Sequence, residues 1–186
     1  MTFNDIMERE RCEYCEYWYG VKDGDHRLVA LYRRHYSSNG AVPIRSQLRH
    51  GVSGVGESLC MITLDCKAAF IWVHNTTERY DGETGVQCSF FRNESTVLSS
   101  ELIREACEIA WRKWPGERLW TYVNPSKIKS TNPGACFLKA GWRKCGQSKG
   151  GLVILEALAH SIEMIEPRSN VLLQATEGMA EGGNPK

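Results

Sequence analysis

Nowhere in the 186-residue chain does an apolar run approach the ~18 residues that a membrane span requires, so no membrane-crossing helix is expected. The opening MTFNDIMERE is acidic and has no apolar h-region, which argues against a signal peptide and predicts a cytoplasmic location. A second Cys-x-x-Cys is also missing. Cys12 and Cys15 stand alone, and the next candidate ligands, His26 and His35, are at unhelpful spacing for four-coordinate zinc. No metal site is therefore predicted. The eight cysteines, in a chain without an export signal, read as reduced thiols. There is no internal repeat, and no strong overall charge: the net value is +1.

What charge there is lies unevenly. From Arg104 to Lys149 there are ten Lys/Arg against three Glu, whereas residues 1–30 carry seven acids and four bases. Residues 150–186 carry five acids and two bases. A basic middle between acidic ends makes DNA a candidate partner, with a solvated helix surface as the ordinary alternative. Hydrophobic content of 42% and a length of 186 suit one soluble domain with a proper core, assigned to residues 1–166. A polar, glycine-rich tail is expected over 167–186.

DHRLVALYRRHYSSNG recurs with helical period at Leu28, Leu31, Tyr32 and Tyr36, and Asp25 suits the helix start. RSQLRHGVSGVGE then reads as a polar loop whose glycines lack the Lys-Ser/Thr of a phosphate cradle. SLCMITLD and AAFIWVHN form a predicted hairpin, and GVQCSFFR a third strand. SSELIREACEIAWRKWPG is an amphipathic helix with Leu102, Ile103, Ala106, Ile109, Ala110 and Trp114 on its buried face. Ser99 or Ser100 is the expected N-cap, and Pro115-Gly116 the stop. RLWTYV is a strand. In NPGACFLKAGWRKCG, Asn132 reads as an N-cap, Pro133 as the first helical position and Gly141 as the C′ residue. WRKCGQ and LVILEAL close as a hairpin.

This order resembles that of the GNAT superfamily of N-acyltransferases over about residues 57–158, and within it NPGACFLKAGWRKCG…GGLVILE is similar to the superfamily's C-terminal motif. The resemblance implies an α/β (α+β) fold with a mixed central sheet flanked by helices. It also implies acetyl-CoA or a related acyl donor, held between two splayed parallel strands. The donor's pyrophosphate would meet the helix N-terminus near Phe91, Arg92, Asn93, Ser99 and Ser100, with Asn132 beside the donor. Superfamily members usually carry a glycine-bearing loop there, and RNESTVLSS has no glycine.

RRHYSS resembles the His-Tyr-Ser motif of the Mom-type phage DNA-modification proteins, a divergent GNAT-like branch. That implies a phage or prophage acyltransferase acting on a DNA-base amine, with His35, Tyr36 and Asn124 as catalytic candidates. Asn124-Pro125 and Ala135 stand where that branch keeps Asp-Pro and a Tyr. An amide at 124 can orient substrate but cannot act as a base near neutral pH. The other readings are an acetyl-CoA-dependent N-acetyltransferase of a small amine or protein, and a non-catalytic DNA- or protein-binding inhibitor. Trp18, Tyr19, Trp72 and Tyr122 are candidates to stack on a base or to pack in the core.

Overall fold

A computed structural model describes residues 15–38, 40–75, 79–128 and 131–159. The expected tail at 167–186 and Cys12 lie outside the described residues. Among the described residues seven strands form one sheet in the order β1-β2-β3-β4-β5-β7-β6. They are β1 (Trp18–Val21), β2 (Glu57–Thr63), β3 (Ala68–His74), β4 (Val86–Asn93), β5 (Leu119–Val123), β6 (Arg143–Gln147) and β7 (Val153–Ala157). The helices are α1 (His26–Arg33), α2 (Ile44–His50), α3 (Ser99–Lys113) and α4 (Ala135–Lys139). Every neighbouring pair is antiparallel except β4–β5, which α3 connects as a crossover.

The period-2 pattern of the β3 run explains the layering. Ala68, Phe70 and Trp72 join the core under α3 and α4, while Ala69, Ile71 and Val73 join the one under α1. Two buried indoles fasten α3 to the sheet. Trp18 Nε1 donates to the Leu102 carbonyl at 2.8 Å and Trp72 Nε1 to that of Ala106 at 3.1 Å. Both rings are fully buried and Tyr19 is buried, so none of the three can stack on a base; they are core residues.

Several expectations need correction. β1 stands where no strand is expected: Trp18 and Tyr19 pair with Thr63 and Ile62 of β2. The polar stretch after Pro43 folds as α2, and Asp23 organises its exit. The Asp23 carboxylate accepts from Val52 N (2.7 Å), Ser53 N (3.2 Å) and the Ser53 hydroxyl. Neither Ser99 nor Ser100 caps α3: Leu98 is the N-cap, without a side-chain bond, and Ser99 is already helical. Asn132 is not the N-cap of α4, because Gly134, in the left-handed region at φ 80°, takes that place. A Cβ there would also meet Leu155 Cδ1 at 2.6 Å, which only glycine avoids. Gly141 does end α4 as expected. Its φ is 95°, its N–H donates to Leu138 O, and Trp142 N–H reaches back to Phe137 O, a Schellman closure.

A bulge in β4 has the largest consequence. Ile71 pairs with Phe90 but Trp72 with Cys88, leaving Ser89 as an extra residue. Side-chain alternation therefore flips. Val86 and Cys88 face α3, Phe90 turns to α1, and Phe91 returns to the α3 side against Phe70 and Phe137. At the same level Thr121 Oγ1 donates to the Cys88 carbonyl at 2.8 Å, both buried. Replacing Thr121 with Val keeps the shape but orphans that carbonyl, so urea unfolding should register a loss of about 1–2 kcal/mol. An unchanged midpoint would mean that the bond does not hold β4 to β5.

Candidate active site

Pairing between β4 and β5 covers only Val86–Leu119, Gln87–Trp120 and Cys88–Thr121. Beyond it β4 keeps β3 on one side through Asn93, and β5 keeps β7 through Val123, but the two no longer pair with each other. The other edge of β4 after Cys88 is thus left without a strand partner, and its peptide groups can bond an extended ligand. A cavity of about 480 Å³ opens there. Cys88 to Phe91 and Thr121 to Asn124 line its floor, the turn after α1 (His35, Tyr36, Ser37) one wall, and the first turn of α4 the other.

The turn carrying His35 is fastened from below. Arg92 donates to the Arg34 carbonyl at 2.6 Å and to Glu94, and Glu94 also accepts two bonds from Arg34 at 2.8 and 2.9 Å. The His35 ring meets the edge of Phe90 at 5.1 Å and lies 4.2 Å from that of Tyr36, centroid to centroid. Burial first, and then the Arg92 guanidinium, together lower the imidazole pKa to about 4, so His35 is neutral at pH 7. Its Nδ1 is 2.7 Å from Ser37 Oγ and 3.2 Å from Ser37 N. A backbone N–H can only donate, so Ser37 N makes Nδ1 the accepting nitrogen: Nδ1 holds the lone pair, which the Ser37 hydroxyl can also meet, and Nε2 carries the proton. Burial raises the Tyr36 phenol above its ordinary value, partly offset by a hydrogen bond from the Asn124 backbone across the cleft. The phenol is therefore protonated at neutral pH.

Of the residues singled out in the sequence, His35, Tyr36, Phe91, Asn124 and Asn132 line one cavity. Arg92, Asn93, Ser99 and Ser100 are not in its lining. Arg92 is engaged with Glu94 and the α1 turn. Asn93 folds the loop before α3, donating to Val97 O (2.8 Å) and Ser99 Oγ (3.0 Å) and accepting from Ser95. The Asn124 amide oxygen accepts from Ser126 N and Oγ, capping the 3-10 turn Pro125–Lys127. Ser37, the third residue of the His-Tyr-Ser run, lines the cleft too; Gln87, Cys88 and Cys136 also line it and had no local signature, and only strand pairing and the α4 turn bring them in. Among the described residues no group of three His, Cys, Asp or Glu is placed to hold a metal, and no helix is long and apolar enough to cross a membrane.

No family profile matches the sequence, and no curated protein matches it. Solved structures do match in shape. The aminoglycoside acetyltransferase AAC(6')-Ib in complex with coenzyme A superposes with a TM-score of 0.57 at 14% identity, covering 78% of this chain and 95% of that one. The same enzyme with coenzyme A and kanamycin gives 0.54 at 14% identity, over 78% and 95%. The GNAT domain of S. lividans PAT gives 0.54 at 15% identity, over 76% and 89%. The chain has the GNAT fold. Its seven-stranded mixed sheet with flanking helices, and the parting of its one parallel pair, are the α/β arrangement that the element order led one to expect.

The depressed His35 pKa has a thermodynamic consequence. The unfolded imidazole takes its proton near pH ~6.5, before the folded one does, so stability should fall as pH drops from about 6.5 to about 4. His35→Asn should lessen that slope, read as melting temperature at pH 7, 5.5 and 4.5, while the carboxylates common to both proteins cancel. Equal slopes would place a normally titrating imidazole at position 35.

Proposed function

We propose that the chain is an acyl-CoA-dependent N-acyltransferase. One observation carries this reading: a neutral imidazole and a protonated phenol line a cleft along a strand edge that has lost its partner. The geometry fits an acyl-CoA. Phe91 and the freed edge of β4 suit the amide-bearing arm, and the N-terminal end of α3 (Ser99, Ser100) with the Asn93-folded loop suits its phosphates. Asn132 stands beside α4 at the same cleft. Bound there, acyl-CoA supplies the activated acyl group as a thioester.

In this mechanism the Ser37 hydroxyl takes the proton of the attacking amine as it passes its own proton to the lone pair on His35 Nδ1. Tyr36 carries a proton for the departing thiolate. Asn124 holds the phenol through its backbone and keeps its own side chain in the 3-10 turn. Acetyl-CoA at ~100 times its Kd should then stabilise the chain by about 2.7 kcal/mol against thermal unfolding. His35→Gln should keep that stabilisation yet lose about 10²–10⁴-fold in thiol release with an amine acceptor. Absence of any stabilisation by acetyl-CoA would overturn the reading in favour of a non-catalytic binding protein.

A narrower version makes the acceptor an exocyclic amine of a DNA base, as in phage DNA modification. The His35-Tyr36-Ser37 run supports it, as does Lys127 in the cleft lining. Part of the basic middle is paired: Lys113 with Glu57, Arg118 with Glu83 and Glu156, and Arg143 with Glu156. Lys127, Lys139, Lys144 and Lys149 are exposed and suit phosphates. Duplex binding should then weaken with salt on a log–log slope of about −2 to −4, as counterion release for that many lysines requires. No binding at low salt, or binding indifferent to salt, removes DNA as partner.

A further inference from the structure

The acceptor end of the cleft is marked by the polarity of two side chains and by a missing charge. Gln87 and Tyr122 line the cleft on the face of the sheet that also carries Phe90 and His35, and one chain of bonds fixes both. Arg79 donates to Gln87 Oε1 at 3.0 Å, and grips Asp81 through Nε (2.9 Å) and a second nitrogen (2.6 Å). Asp81 in turn accepts the Tyr122 hydroxyl at 3.1 Å. With its amide oxygen taken, Gln87 has its NH₂ group to offer as donor; with its only proton given to Asp81, Tyr122 has lone pairs to offer. No Asp or Glu is among the lining residues described, and the neighbouring carboxylates are paired: Asp81 with Arg79, Glu83 with Arg118, Glu156 with Arg118 and Arg143.

We propose that this cleft takes a neutral, planar amine whose nitrogen adjoins a hydrogen-bond acceptor, and that it rejects polycationic amines. The amine N–H meets Tyr122 Oη and the adjoining acceptor meets the Gln87 NH₂. A polycation entering the cleft would give up water for a wall with no carboxylate to replace it, and would meet Lys127. The base agrees with this choice. An alkylammonium of pKa ~10 must lose its proton before it can attack, which an imidazole titrating at about 4 takes up poorly. An aromatic amine is already neutral, and its nitrogen becomes strongly acidic once the C–N bond forms, so the same imidazole can accept that proton as the C–S bond breaks.

The proposal rests on the acyltransferase reading for its chemistry but not for its ligand. Binding is therefore measured by calorimetry with and without coenzyme A, alongside thiol release from acetyl-CoA. The probes are 2-aminopyridine at pH 8 (amine beside a ring acceptor), aniline (amine alone), kanamycin and spermidine. The expected order is 2-aminopyridine ahead of aniline by about tenfold, one hydrogen bond's worth, with neither polycation bound. Gln87→Leu should bring 2-aminopyridine down toward aniline while leaving aniline unchanged, a change of ratio that loss of folding would not produce, whereas Tyr122→Phe should weaken both, since each gives its amine N–H to Tyr122 Oη. Kanamycin or spermidine binding as well as 2-aminopyridine overturns the proposal, as does a 2-aminopyridine to aniline ratio near one. Probe binding in that order without acetyl-CoA turnover would leave the ligand class standing and remove the acyltransferase reading instead.

Discussion

A parallel strand pair needs a crossover, and here the crossover is α3, fifteen residues anchored to the sheet by the Trp18 and Trp72 indoles. The pair it joins holds together for three rungs and then parts. Everything that makes a site depends on that parting. It leaves one edge of β4 without a strand and opens the cavity, and it puts the α1 turn opposite the α4 helix. The Ser89 bulge acts on the same stretch, sending Phe90 toward His35 and Phe91 toward Phe137 within one step of chain. Thr121 bonds the Cys88 carbonyl at the last rung before the strands separate.

The electrostatics of the cleft follow from what surrounds it. Guanidinium groups take up the nearby carboxylates: Arg92 and Arg34 hold Glu94, whose pKa falls to about 2, and Arg79 lowers Asp81 to about 2. Asp81 in turn raises the Tyr122 phenol, already raised by burial, to about 12. The cleft between these pairs carries an uncharged imidazole, two protonated phenols and one lysine. A lining without a carboxylate, inside a charge-paired rim, suits bond-making on a neutral nucleophile better than recognition of a cation by ion pairing.

How much of this could be read in the sequence depended on whether the signal was local. The strand–helix–strand over residues 86–123, the α3 stripe and the final hairpin have periodicity enough to be legible, and Gly141 marks a left-handed closure that few other residues tolerate. His35 and Tyr36 were singled out through a three-residue likeness, and the fold does bring them to the cleft. Other features have no local mark. β1 is four residues, two of them aromatic, whose partner lies some forty residues on, and α2 has no capping side chain of its own. Ser99 looks like a cap, but Asn93 bonds its hydroxyl and Leu98 takes the N-cap place, with Ser99 already the first helical residue. Arg92 reads as an anion ligand until the Arg34 carbonyl and Glu94 are seen beside it. The Gln87–Arg79–Asp81–Tyr122 chain joins three separate segments and could only be found in space.

The central claim is that the freed edge of β4 is where an acyl-CoA lies. Backbone amide shifts in a ¹⁵N correlation spectrum, followed as coenzyme A is titrated in, test it directly. The account requires the largest changes at residues 89–92 and 98–101, with His35 and Tyr36 following and β1 and β6 nearly still. Changes centred on β6 or on α2, with residues 89–92 unmoved at saturation, would contradict it.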